Sequence, residues 1–397
     1  MNGNRPTTYH VVLMDGTFAS LAEGRRSSIG RIHSLLSGKE GLPTLPAGQI
    51  RLYYGVGQQW NRWQTLPDLA MGRVLERRIV NAYGWLASRY RPGDQIFLIG
   101  YSRGAFAVRS LAGMIGRVGL LRAEAATERN IRLAWHYYRN GGSDRHREMF
   151  RNRRSHPGVT IRMVGCFDTV MALGLRLPLL WMLTEPLFRF HDAHLVPEVE
   201  HGFQALALDE TRAAFAPILW DDTKCKGRIQ QMWFRGVHPD VGGQLSGREF
   251  ARPLANIPLV WMLERAEAVG LPLPQNWRNL FPCDPAAPSV GSWRGWGKAF
   301  LARAPRTAGH YQCEELHSSI DPDSYDGPAL LVNRFAPANA PRSRRFLRRP
   351  SLPLRDKGVT TPQDQGAVVP RDTASAEPPA PPGGGEAQAT ASSSRAG

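Results

Sequence analysis

Short apolar runs recur along the chain, each closed by a polar or glycine-bearing turn, and the segments between them carry apolar positions at helical spacing. Residues 9–14 (YHVVLM) predict a buried strand ending at Asp15-Gly16-Thr17, and 50–56 (IRLYYGV) predict a second. A long helix is expected over 69–90, closed by Arg91-Pro92-Gly93-Asp94, then a strand over 95–100 running into a helix over 104–118. Further on, a helix is expected over 124–140 and a strand over 159–167 (VTIRMVGCF) ending at Asp168. Apolar positions over 203–219 fit a helix, 229–237 (IQQMWFRGV) a strand ending at His238, and 256–270 another helix.

Strands alternating with helices predict the α/β class: a mostly parallel, doubly wound sheet with helices on both faces. Continuous apolar strands suit a sheet buried on both sides. From about Ala336 the composition turns to Pro, Ala, Gly, Ser and Arg, ending APPGGGEAQATASSSRAG. Such a stretch buries too little apolar surface to offset its ordering entropy, so one domain is expected over 1–335 and a disordered tail over 336–397.

Charge, cysteine spacing and local apolar bias sharpen this picture. The net charge of +16, with a dense run at Arg342–Arg349 (RSRRFLRR), suits an anionic surface, either nucleic acid or phospholipid headgroups; arginine-rich codon bias gives the same balance without any partner. No nucleic-acid motif accompanies the charge. The four cysteines, Cys166, Cys225, Cys283 and Cys313, are dispersed and form no C-x-x-C pair, which argues against zinc and disulfides and for a reducing compartment. The N-terminus lacks the apolar core of a secretory signal, so a cytoplasmic chain is expected, or one exported by a specialised secretion system. The most apolar stretch, 173–190 (LGLRLPLLWMLTEPLFRF), is broken by Arg176, Pro178, Glu185 and Pro186 and is too interrupted to span a membrane. It is either a lid that faces lipid or a core helix bent at its prolines.

Candidate chemistry collects at the predicted strand ends, where open parallel sheets place their sites. Gly100-Tyr101-Ser102-Arg103-Gly104 has the G-x-S-x-G form, with a strand before and a helix after. A serine on so sharp a turn has strained backbone angles, and residues two positions away must lack bulk; an ordinary tight turn is the plainer alternative. The order Ser102, Asp168, His238 is that of a hydrolase triad, with His238 as base in GVHPDVGG and Asp168 as the group that orients it. The rival base is His317, in EELHSSI. The plainer readings are a helix cap for Asp168 and a histidine bonded within its own loop through Asp240. Asp209 falls inside the helical pattern and Asp240 is too near His238 in sequence to be its default partner. The backbone N–H of Arg103, with those of Gly16 and Thr17, is expected to form an oxyanion hole, a plain turn being the alternative for 15–17, and Asp15 and Tyr101 are expected to contact substrate. The Arg103 side chain is either a phosphate contact or a helix-start charge. No metal or organic cofactor is called for.

The blocks VVLMDGT, RPGDQIFLIGYSRGAFAVRSLAGMI, VGCFDTVMALG, ALALDETRAAFAPILW and MWFRGVHPDVGG, with the late segment NIPLVWMLERAEAVGL, resemble an α/β-hydrolase family that includes type VI secretion phospholipase effectors. The resemblance runs from about residue 9 to about 335. It implies Ser102 as nucleophile, Asp168 as acid and His238 as base, in a serine esterase that acts on lipid esters. It also implies a secretion-system or immunity partner for a member that serves as an effector. The family commonly has Trp where Phe167 stands and continues glycines where Gln244 and Leu245 stand. Two alternatives remain: a short-chain carboxylesterase, or an inactive hydrolase-fold module that binds anionic partners.

Overall fold

Nine strands are described in the computed structural model: β1 (Tyr9–Met14), β2 (Ile50–Gly55), β3 (Gln95–Tyr101), β4 (Ile161–Phe167), β5 (Val199–Ala207), β6 (Ile229–Phe234), β7 (Thr307–Ala308), β8 (Glu314–Leu316) and β9 (Leu330–Leu331). Seven of them form one sheet in the order β2-β1-β3-β4-β5-β6-β8, and every neighbouring pair is parallel. The remaining two, β7 and β9, pair with each other, also in parallel. The structure describes residues 5–38, 49–57, 73–170, 194–223, 227–293 and 301–337. These belong to one unit, Met1–Phe346; a second unit, Leu347–Gly397, lies outside the described residues. So do nearly all of the predicted tail and the whole stretch 173–190.

The period-two geometry of a strand divides β1 between two cores. Val12 and Met14 join Leu98 and Val164 under α2 (Arg73–Ala87), α3 (Arg103–Val118) and α4 (Glu128–Asn140). Val11 and Leu13 join Phe97, Ile99 and Met163 under α1 (Ser28–Leu36) and α7 (Arg252–Ala268). Helices therefore cover both faces, and the apolar runs of β1 and β3 are buried throughout their central residues. This is the mostly parallel, doubly wound α/β-hydrolase-type arrangement that the sequence pattern predicts.

Local departures have physical causes. The expected helix over 203–219 is instead β5, followed by a short 3-10 turn at Ala213–Phe215. Short apolar runs suit either element, and here backbone partners on both sides decide: Ala205 pairs with Phe167 of β4 and with Met232 of β6. The helix expected over 124–140 starts later, because Thr127 caps it by accepting from the Asn130 N–H at 3.3 Å. An unpredicted helix, α5 (Asp144–Arg154), follows it. The strand expected over 229–237 ends at Phe234, and its last three residues turn the chain into the short helix α6 (His238–Gly242). The part of the expected 69–90 helix before residue 73 lies outside the described residues.

The strand order places a topological switch between β1 and β3, since the chain leaves β1 toward β2 on one side and β3 toward β4 on the other. Loops at the carboxyl ends of two such strands part to leave a crevice. Asp15-Gly16-Thr17 and Ser102 stand at its two sides.

Candidate active site

Ser102 sits between β3 and α3 with φ 57° and ψ −121°, a strained backbone for any residue with a side chain. Its N–H bonds the Phe167 carbonyl at 2.9 Å, which ties the turn to the end of β4. The flanking glycines are required by space. A Cβ on Gly100 would lie 2.4 Å from the Gly104 carbonyl oxygen, and one on Gly104 would lie 2.1 Å from the Met14 carbonyl oxygen. Both clashes are with backbone, which cannot swing aside. Gly104→Ala is therefore expected to destabilise the fold by about 3 kcal/mol. Urea unfolding would read this as a lower midpoint with an unchanged slope, and an unchanged midpoint would contradict it.

Three side chains form a hydrogen-bonded row. His238 Nε2 lies 2.9 Å from Ser102 Oγ, and His238 Nδ1 lies 2.5 Å from Asp168 Oδ2. Asp168 follows β4 at φ 45°, with its N–H on the Ala205 carbonyl at 2.8 Å and its Oδ1 accepting from the Ala207 N–H at 3.0 Å. The imidazole lies between the rings of Tyr101 and Phe215, each centroid 4.9 Å away. Burial lowers the pKa of His238 and outweighs the opposing pull of Asp168, so the ring is neutral at neutral pH. Burial alone would raise the pKa of Asp168, but the charge of Arg306 and the bond to His238 overcome it and hold the carboxyl well below the ordinary range.

Other residues singled out in the sequence take varied places. Gly16 N–H bonds the Asp15 carboxylate at 2.8 Å, so that donor is already engaged. Asp15 is fully buried and also accepts from Ser27 Oγ at 2.6 Å and Tyr54 Oη at 2.7 Å, which shapes the turn from within and leaves it no face toward substrate. Tyr101 is likewise buried: its ring packs against Gly16 and Gly242, where added Cβ atoms would lie 2.5 and 2.0 Å from it. Asp15 and Tyr101, expected from the sequence as substrate contacts, both have their side chains turned to internal neighbours. Arg103 Nη2 bonds the Thr17 hydroxyl and so links the two sides of the crevice. Burial lowers its pKa to about 10, which leaves it cationic at neutral pH.

The rival base stands elsewhere: His317 Nδ1 bonds Ser319 Oγ at 2.8 Å and its ring stacks on Phe234. Asp209 accepts from Gly236 N–H and Tyr325 Oη, and Asp240 from Val237 N–H, Ser289 Oγ and Val290 N–H. Both carboxylates brace the loop that carries His238. Gln244 donates to the Thr17 carbonyl at 3.0 Å and joins that loop to the β1 turn.

Sequence pattern gave no sign of Arg306. Its two terminal nitrogens donate to both Asp168 oxygens, at 2.5 and 2.9 Å, and to the carbonyls of Ala207 and Phe215, at 2.7 and 2.6 Å. A lone arginine among 50 basic residues carries no motif. Glu210 and Arg212 fall inside the expected helix over 203–219, so only the strand β5 that replaces it shows them to lie beyond a strand end. Glu210 accepts the His238 N–H at 3.2 Å and is paired with Arg212, whose guanidinium lies 4.0 Å from the Phe215 ring centre. Among the described residues, no group of three or more His, Cys, Asp or Glu is placed to hold a metal.

A parallel sheet that presents serine on a strained strand-to-helix turn, in a row with histidine and aspartate, defines the α/β-hydrolase class. Within that class the chain belongs to the family of type VI secretion phospholipase effectors of the Tle1-like kind, whose catalytic-domain model matches residues 9–265. The chain is also 33% identical over 163 residues to the uncharacterized protein YEL023C of Saccharomyces cerevisiae, a match covering 38% of this chain and 22% of that protein. Among solved structures it is similar to an uncharacterized protein from Pseudomonas aeruginosa, at 15% identity and TM-score 0.40, covering 70% of this chain and 49% of that one. It is similar too to the Tle1 effector bound to the VgrG spike of the type VI secretion system, at 19% identity and TM-score 0.33, covering 60% and 51%. The chain thus spans about a fifth of the yeast relative and about half of each solved structure.

Proposed function

We propose that this protein is a serine hydrolase that cleaves the carboxylic esters of phospholipids through an acyl-enzyme. The observation that carries the reading is the row Ser102–His238–Asp168, with separations of 2.9 and 2.5 Å. Ser102 Oγ attacks the acyl carbonyl as its proton passes to His238 Nε2, and Asp168 stabilises the imidazolium formed. The tetrahedral oxyanion is held by the Arg103 N–H, which opens α3, and by the Thr17 N–H; the Gly16 N–H is left out because Asp15 engages it. His238 returns the proton to the leaving alcohol and then takes one from the water that releases the fatty acid. The Arg103 guanidinium, at the crevice beside Ser102, suits an anionic substrate.

Family membership and the net charge of +16 favour a phospholipid bilayer over a soluble ester as substrate. Family membership suits delivery by a type VI secretion apparatus, and an immunity protein that restrains the enzyme at home is the partner the sequence resemblance implies. Among the described residues no helix is long and apolar enough to cross a membrane.

The test is hydrolysis of anionic phosphatidylglycerol vesicles beside a short p-nitrophenyl ester, with fluorophosphonate labelling of Ser102 as control. Fatty-acid release from vesicles, together with labelling that Ser102→Ala abolishes, is the expected result. A folded protein that neither labels nor releases fatty acid would sink the reading, and activity on the short ester alone would restrict it to a carboxylesterase. The base must be neutral to act, so rate rises with pH through the His238 pKa. Burial lowers that pKa, so the acid limb of kcat/KM should have its midpoint below the ordinary histidine value of 6.5. A midpoint at or above that value would contradict the assignment.

A further inference from the structure

We propose that Arg306 is a positioning residue of this site: its guanidinium fixes the Asp168 carboxylate in the orientation that faces His238 and balances its charge. The inference rests on the hydrolase reading and extends it to a residue beyond the matched span of 9–265, contributed by the segment that leads into β7.

Asp168 has no freedom to find His238 by itself. Its Oδ2 is shared between His238 Nδ1 and Arg306 Nη2, and its Oδ1 between Arg306 Nη1 and the Ala207 N–H. Arg306 is itself clamped, because each terminal nitrogen also donates to a carbonyl, Ala207 or Phe215. All four terminal N–H groups are therefore used, two on the carboxylate and two on the frame around it. Only a planar fork does this; a lysine ammonium has three donors on one atom. The pair is almost wholly buried, at 3% and 0% side-chain exposure. Buried ion pairs are poor stabilisers against apolar replacements, since both charges lose their water. What the fork provides instead is orientation of the group that sets the imidazole tautomer.

Charge balance is the second consequence. His238 faces Asp168 from the end of β4, Glu210 and its paired Arg212 from beyond β5, Tyr101 from the end of β3 and Ser102 from the turn after it, while Asp240 on its own helix is turned to Val237, Ser289 and Val290. Glu210 is offset by Arg212, and Arg306 offsets Asp168 in the same way. Without Arg306 the imidazole would face an uncompensated carboxylate, which favours its protonated form. The ring would then stay charged, and inactive as a base, to higher pH.

The experiment compares full-length wild type, Arg306→Gln and Arg306→Lys. Each is followed by kcat/KM against pH on a p-nitrophenyl ester and by NMR titration of the imidazoles in histidine-labelled protein, with the His238 signal assigned through His238→Ala. Arg306→Gln should lower kcat by about 10²-fold, as a misplaced catalytic group does, and move both the acid limb and the His238 titration to higher pH. Arg306→Lys keeps the charge but not the fork, so its titration should stay near wild type while kcat still falls. A folded Arg306→Gln with wild-type kcat and titration overturns the proposal. If that variant does not fold, Arg306→Lys decides: wild-type kcat overturns the positioning role, and a titration moved upward overturns the charge balance. The NMR titration needs no turnover, so a wild type that hydrolyses nothing fails the esterase reading and still leaves Arg306 open to test.

Discussion

His238→Ala is expected to lower kcat for ester hydrolysis by about 10⁴-fold or more, whereas His317→Ala should remain within about twofold of wild type. The contrast follows from position. Nε2 of His238 is 2.9 Å from Ser102 Oγ and its other nitrogen is held by a buried carboxylate, so the ring is fixed in the tautomer that accepts a proton from serine. His317 has its Nδ1 on Ser319 and its ring on Phe234, and it lies beyond β8 at the sheet edge. With alanine at 238 the serine keeps its elbow and its oxyanion donors, but its proton has no acceptor. A small residual rate from those donors alone is expected. Steady-state kinetics on a p-nitrophenyl ester, with both variants checked for wild-type unfolding midpoints, makes the comparison. A large loss in His317→Ala with little loss in His238→Ala would reverse the assignment.

Much of this was legible in the sequence because the relevant signals are local. IFLIGYSRGAF carries its strand, its two glycines and its helix within eleven residues, and each glycine answers to a clash at 2.4 or 2.1 Å. Asp168 and His238 could be singled out because each follows its own apolar run in the sequence. What stayed hidden depends on tertiary neighbours. FQALAL is apolar enough for a helix and becomes a strand only because β4 and β6 flank it. Asp15 and Tyr101 look available as polar residues beside a site, yet Ser27, Tyr54 and two glycines enclose them. Arg306 is 138 residues from Asp168 in sequence, and no spacing rule connects them.

Asp168→Asn should show the two uses of that carboxylate separately. Asparagine has nearly the same shape, so the site keeps its outline. Its amide can present an N–H toward His238, which then adopts the wrong tautomer, and kcat should fall by about 10⁴-fold. The substitution also leaves the Arg306 guanidinium buried without its counter-charge, at an expected cost of about 3–5 kcal/mol in unfolding free energy. The pH dependence has a definite sign. The folded pKa of Asp168 is held below its unfolded value, so the stability it contributes is fully present above the ordinary carboxylate range. That contribution fades as pH falls toward the depressed folded value, and wild type and Asp168→Asn should converge in stability in strong acid. Adding Arg306→Met to Asp168→Asn removes the stranded charge. The double variant should regain a large part of the lost stability and none of the lost kcat, because apolar packing can replace the ion pair but cannot orient the imidazole. Urea midpoints for the single and double variants at neutral pH, beside their kcat values, complete the comparison. A double variant no more stable than Asp168→Asn would mean that Arg306 carries no unpaired-charge penalty, and the electrostatic account of this site would fail at its centre.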